Sequence, residues 1–139
     1  MENIKIWLCA AVGCTGGTIA AAFGGWDMGL QILILLMAID YATGLMVAGI
    51  FHTSGKSASG GLESRAGWKG LCRKGVTLLI VLVAQCVDAE AGTNVIRDAV
   101  VIGYTANEAI SILENAGLMG VPVPKKLAQA IEVLQGKDT

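Results

Sequence analysis

The stretch Leu30-Gln31-Ile32-Leu33-Ile34-Leu35-Leu36-Met37-Ala38-Ile39-Asp40 decides the fold. Branched aliphatic residues fill it almost without a break, and the apolar run extends from about Met28 to Phe51. A bilayer core about 30 Å thick takes about 20 mostly apolar residues in a helix. This stretch is long enough to cross. Asp40 stands near its middle, where a carboxylate costs about 2.5–3.5 kcal/mol on insertion scales. It is expected to face protein or water, paired with a polar group on a neighbouring helix.

The rest of the chain agrees with a membrane setting. Of 139 residues, 54% are hydrophobic and 15% charged, against about 25% charged in soluble domains. A soluble domain of this length buries only about two-thirds of its unfolded surface, too little to hide so much apolar area. The mean hydropathy of +0.64 points the same way. The net charge of −1 argues against a nucleic-acid partner.

Upstream, about 4–24 form a first apolar run bracketed by Trp7 and Trp26, about 28 Å apart along a helix. That spacing puts one aromatic ring at each interface. Cys9, Gly13, Gly17, Ala21 and Gly25 repeat every fourth position, a stripe that lets another helix approach closely. Ala20 and Ala22 offer a small-residue cleavage site, but the weakly basic amino terminus and the apolar segment that follows favour a retained span.

Downstream, residues 52–74 read as a polar loop. Its first half is rich in Gly and Ser, a flexible-linker composition; its second half carries Arg65, Lys69, Arg73 and Lys74. Gly55-Lys56-Ser57 suggests a phosphate loop, but that motif needs Gly at position 50, which is Ile50. A third span is expected over about 75–91. The fourth candidate, about 95–116, is amphipathic. Tyr104, Thr105, Asn107, Glu108, Ser111, Glu114 and Asn115 share one broad face, and Ala99, Ile102, Ala106, Ala109, Ile110 and Leu113 cover the other. Such a helix lines water in an assembly or lies flat at the interface; its alternative is a polar seam between subunits. Pro122 and Pro124 end the pattern, and Lys125–Leu134 reads as a short amphipathic helix in a tail over 120–139, with Leu127, Ile131 and Leu134 on one side, resting on the membrane surface or a neighbour.

Charge placement sets the topology. Of the 10 Lys and Arg residues, only Arg97 lies outside the amino terminus, the 52–74 loop and the region after 120. The positive-inside rule then places the loop and both termini in the cytoplasm, which requires four spans. Arg65, Lys69, Arg73, Lys74, Lys125 and Lys126 fix that orientation and meet anionic headgroups. The expected fold is therefore an all-α integral membrane protein, one domain of about four spans. The four cysteines form no CxxC pair and His52 has no Cys beside it, so no metal site is expected; Cys9, Cys14 and Cys86 read as small hydrophobes. No nucleophile–base pair is evident, so an enzyme is the least expected class, and no cofactor is implied.

One pattern spans much of the chain. Asp40-Tyr41-Ala42-Thr43-Gly44 closes an apolar helix, and a loop follows with Ser64, Gly67, Lys69-Gly70 and Arg73-Lys74. Then come Asn107-Glu108-Ala109-Ile110-Ser111-Ile112-Leu113-Glu114-Asn115 and Gly120-Val121-Pro122-Val123-Pro124. Over roughly residues 28–135 this order resembles the phage holin family that includes clostridial toxin-secretion holins. The resemblance implies a non-enzymatic membrane protein that forms homo-oligomers in the bacterial inner membrane. It implies holes that release an endolysin or toxin, with no stable complex between the two, and timed host lysis. Such families are often assigned three spans. Gly44 joins Gly13, Gly17, Ala21 and Gly25 as an expected packing position. Rival classes are a small ion-channel or transporter subunit and a membrane scaffold without a pore.

Overall fold

A computed structural model describes residues 1–134; residues 135–139 of the expected tail lie outside the described residues. Five helices follow in order: α1 Glu2–Ala22, α2 Met28–Met46, α3 Ser64–Ala91, α4 Val95–Leu118 and α5 Lys125–Leu134. A π-helical turn, Val47–Phe51, continues α2. Three of these segments are long and apolar enough to cross a membrane: Glu2–Ala22, Met28–Phe51 and Ser64–Ala91. The chain is an all-helical, membrane-inserted protein.

The helix boundaries follow local chemistry. Gly24 (φ 83°) and Gly25 (φ 110°) break the chain after α1 in backbone conformations that disfavour side chains. A Cβ on Gly24 would also clash with the Gln85 side-chain amide. Asp27 then caps α2, its carboxylate accepting from the Leu30 amide at 2.9 Å. α3 closes on Gly92 in the left-handed region, and Pro124 precedes the first turn of α5.

Helices α2, α3 and α4 form the core. Leu30, Leu33, Met37, Val81 and Val101 are buried together between them. α4 runs parallel to α2: Arg97 bonds to Asp27 at one end, and the Thr53 hydroxyl reaches the Leu118 carbonyl at the other. α3 returns alongside this pair, packed mainly on α4. The outer faces of α2 and α3 present Ile32, Leu35, Leu79 and Val83 to the surroundings, as lipid contact requires. α1 buries none of its residues.

Two expectations change. The third helix begins at Ser64, not near Gly75, so the basic stretch is helical and not loop. Its spacing explains this, since Arg65, Lys69 and Arg73 repeat every fourth residue, which a helix places on one exposed face. The Gly/Ser stretch before it is a stitched turn and not a free linker. The Ser54 amide donates to the Gly60 carbonyl at 3.0 Å, and the Ser57 hydroxyl donates to the Gly61 carbonyl at 2.7 Å. α5 lies against α4 of its own chain with Ile131 buried. The side chain of Leu134 lies outside the described residues.

Candidate functional site

Asp40, Lys74 and Glu108 come from three different helices and meet in the bundle. The Lys74 ammonium donates to the Asp40 carboxylate at 2.7 Å and also to the Glu108 carboxylate. The Asn115 amide donates to the Asp40 carboxylate at 3.1 Å, to the Asp40 carbonyl at 3.3 Å and to the Thr43 hydroxyl at 2.9 Å. Asp40, Glu108 and Asn115 are all buried. Met28–Phe51 is 24 residues long, about 36 Å, and Asp40 lies about 18 Å along it. Two carboxylates thus share one ammonium near the middle of a membrane-spanning helix. Isolated charges there would be costly; sharing a counter-ion and an amide donor offsets the loss of water.

Helical phase sets which polar residues join. Glu108, Ser111 and Asn115 fall at spacings of three and four, one stripe of α4 turned toward α2 and α3. Tyr104, one turn earlier, is half-buried on the same stripe beside the apolar core. Asn107 and Glu114 sit about 100° round the helix and are exposed; Thr105 is half-buried. The polar face expected as one unit is therefore split between an inner and an outer stripe. Ala106, expected on the apolar side, is buried at 2% exposure.

The other expected residues divide as clearly. Lys74, expected among the headgroup-facing bases, points into the bundle instead, because it lies one residue, about 100°, beyond Arg73. Arg65, Lys69 and Arg73 are exposed on the first turns of α3, and Lys125 and Lys126 on the first turn of α5. Gly44 packs against α4, its Cβ direction meeting the Asn115 amide at 3.8 Å. Gly13 and Gly17 face open space, Gly25 likewise has nothing within 4 Å, and Ala21 is exposed. Tyr41 lies over the glycine face of α3, 3.5 Å from the Cβ direction of Gly67.

A second polar cluster at the opposite end of the bundle escaped the sequence reading. The Arg97 guanidinium donates to the Asp27 carboxylate at 2.6 Å, the Phe23 carbonyl at 2.7 Å and the Asp98 carboxylate at 3.2 Å. Asp88, fully buried at the end of α3, caps α4. Its carboxylate accepts from the Arg97 amide at 2.7 Å, the Ile96 amide at 3.2 Å and the Thr93 hydroxyl. The signal is present in part: Arg97 is the one base outside the amino terminus, the 52–74 stretch and the region after 120. The hydrogen bond from Arg97, then that from the Leu30 amide, hold the Asp27 carboxyl below its ordinary value of 3.8.

A cavity of about 460 Å³ opens between α2, α3, α4 and the 53–63 turn, with the Asp40–Lys74–Glu108 triad at its floor. Beyond the triad, the core around Leu33 and Val81, both fully buried, closes the bundle. The arrangement holds charge inside a bundle of apolar helices, beside an open cavity.

The sequence pattern of the bacteriophage holin family matches residues 17–136. A probable holin of Bacillus phage phi105 is 34% identical over 107 residues, covering 76% of this chain and 73% of that protein. An uncharacterised protein of Halalkalibacterium halodurans is 38% identical over 145 residues, covering 100% of this chain and 99% of its own length. An uncharacterised 14.9 kDa protein of Clostridium perfringens is 35% identical over 139 residues, covering 99% of each. No solved structure matches. With its apolar helices and a family match over most of its length, this chain belongs to the bacteriophage holin family.

Proposed function

We propose that the protein acts as a holin: it accumulates in the host inner membrane, associates with its own copies and opens holes. A phage endolysin, or a secreted toxin, then leaves the cytoplasm through them without binding the holin stably. The observation that carries this reading is the family match over residues 17–136, together with the relative described as a probable holin.

The geometry supports a four-span topology with both termini cytoplasmic. α4 follows α2 from Asp27–Arg97 to Thr53–Leu118, so a membrane crossed by α2 is crossed by α4. The cytoplasmic side then holds the 52–63 turn and the first turns of α3 and α5, where most of the bases lie. The outer side holds the Asp27–Arg97–Asp88 cluster.

In a single chain the inner stripe of α4 is occupied by Lys74 and Asp40, Asn107 borders the cavity beside them, and Glu114 is exposed. Exposed polar groups are poorly placed against lipid and favour association. In the hole, the α4 polar residues together with Asp40 line water. The transmembrane potential acts on such charges at about 2.3 kcal/mol per charge per 100 mV, so its collapse favours rearrangement of the triad.

The test is co-expression in a bacterium with an endolysin lacking a signal peptide, following turbidity and membrane potential. Abrupt lysis only when both proteins are present supports the holin reading. Depolarisation without endolysin release identifies a small ion channel instead. No effect on either quantity favours a scaffold and overturns hole formation by this chain alone.

A further inference from the structure

The cavity above the triad has chemistry that hole formation does not use. Lys56 of the turn and Lys69 and Arg73 of α3 stand along it, and none has a carboxylate partner among the described residues. Lys69 and Arg73 are one helical turn apart on the same face. The walls are apolar: Leu45, Val76 and Ile80 line the same space and are 39%, 53% and 41% exposed. The three cations without salt bridges outnumber Glu63, the further carboxylate of the lining, whose oxygen accepts from the Ser59 amide and hydroxyl; at the polar end of two spanning helices, with an open apolar wall running down from them, they suit an amphiphile with an anionic head. Basic pockets between helices on the cytoplasmic side bind anionic headgroups for this reason. The floor sets the depth, because the Asp40 and Glu108 carboxylates repel an anion that descends past Lys74. The head therefore stays at the rim and the chain runs along the wall.

We propose that this cavity binds one anionic phospholipid, its phosphate held by Lys56, Lys69 and Arg73 and an acyl chain laid against Leu45, Val76 and Ile80. This goes beyond general attraction of a basic surface to a charged membrane, since it names one pocket and one occupant. It rests on membrane insertion and not on hole formation, so failure of the lysis assay leaves it standing.

The experiment is native mass spectrometry of the full-length protein released from detergent, titrated separately with phosphatidylglycerol, phosphatidylcholine and inorganic phosphate. One phosphatidylglycerol should be retained, at least about tenfold more tightly than phosphatidylcholine. Each cation removed should weaken retention about fivefold, and K56A/K69A/R73A about a hundredfold. K125A/K126A, which removes two bases elsewhere, should retain the lipid. Lys56→Ala, a change at an exposed turn position, should show the fivefold loss even if the triple variant fails to fold. Equal retention of the two lipids, or retention unchanged in K56A, overturns the proposal. Inorganic phosphate bound as tightly as phosphatidylglycerol overturns the lipid assignment in favour of a free-anion site.

Discussion

The Lys74 ammonium lies 2.7 Å from the Asp40 carboxylate inside the bundle, although its neighbour Arg73 is exposed at the cavity rim. Lys74 also bonds Glu108, so one cation ties α3 to both α2 and α4. Removing one partner of a buried ion group costs about 3–5 kcal/mol, because the charges left behind lose their compensation. Lys74→Met should therefore lower the thermal midpoint strongly in detergent. The neutral combination D40N/K74M/E108Q should recover most of that loss, since no buried charge is left unpaired. A K74M protein as stable as the parent would show that the ammonium does not hold the bundle together.

Glu108→Gln separates a structural role from a hole-lining one. The amide still accepts from Lys74, and Asp40 remains as counter-ion, so folding should change little. If α4 lines the hole as proposed, cation preference of the conductance in planar bilayers should fall with the loss of this charge. Unchanged selectivity and unchanged hole formation would remove Glu108 from the lining and leave it a purely internal residue.

Much of the fold was legible because membrane helices write themselves in composition. The run through Leu30–Ile39 needs no partner to be recognised, and the amphipathy of α4 follows from spacing alone. The start of α3 was hidden because Arg65, Lys69 and Arg73 look like loop charges, although their fourfold spacing is helical. The triad was half legible: Asp40 stands out as an acid in an apolar run and Glu108 belongs to the polar face of α4, but their counter-ion could not be told from Arg73 without the phase of α3. The Arg97 cluster was out of reach, because Arg97 and Asp27 are 70 residues apart and meet only once the turns are placed.

Asp88 shows what the Arg97 cluster does for folding. It satisfies two of the otherwise unpaired amides that begin α4, and it is fully buried. Leaving buried donors unsatisfied costs about 1–3 kcal/mol. Asp88→Ala should lower stability by about that amount and speed amide hydrogen exchange at residues 96 and 97 ahead of the rest of α4. Exchange that stays uniform along the helix would mean that the cap is dispensable.

Asp27 links the same cluster to pH. Its carboxyl is depressed below 3.8 by Arg97 and the Leu30 amide, so the folded protein prefers it ionised. A depressed carboxyl contributes stability that is present above its unfolded value and lost as pH falls through the folded one. Its side chain is 47% exposed, so the contribution is modest. Thermal midpoints should fall as pH drops below about 3.8, and Asp27→Asn should flatten part of that fall while leaving the neutral-pH midpoint slightly lowered. Identical acid profiles for the two proteins would show that the Asp27–Arg97 pair does not report on folding.

α1 poses the sharpest separation of folding from association. It buries none of its residues, and a Cβ added at Gly13 or Gly17 meets nothing within 4 Å. A larger side chain there has no contact inside the chain to disturb, and Leu in place of Gly favours the helix by up to about 1 kcal/mol. Gly17→Leu should therefore leave monomer stability unchanged or slightly raised. If the Gly13–Gly17–Ala21 stripe packs against a second copy, the same change blocks close approach. Cross-linked oligomers in the membrane should then diminish, and lysis should be delayed or lost. An unaltered oligomer ladder and unaltered lysis time, with the monomer intact, would assign α1 to lipid contact and move self-association to the exposed side of α4 that carries Glu114.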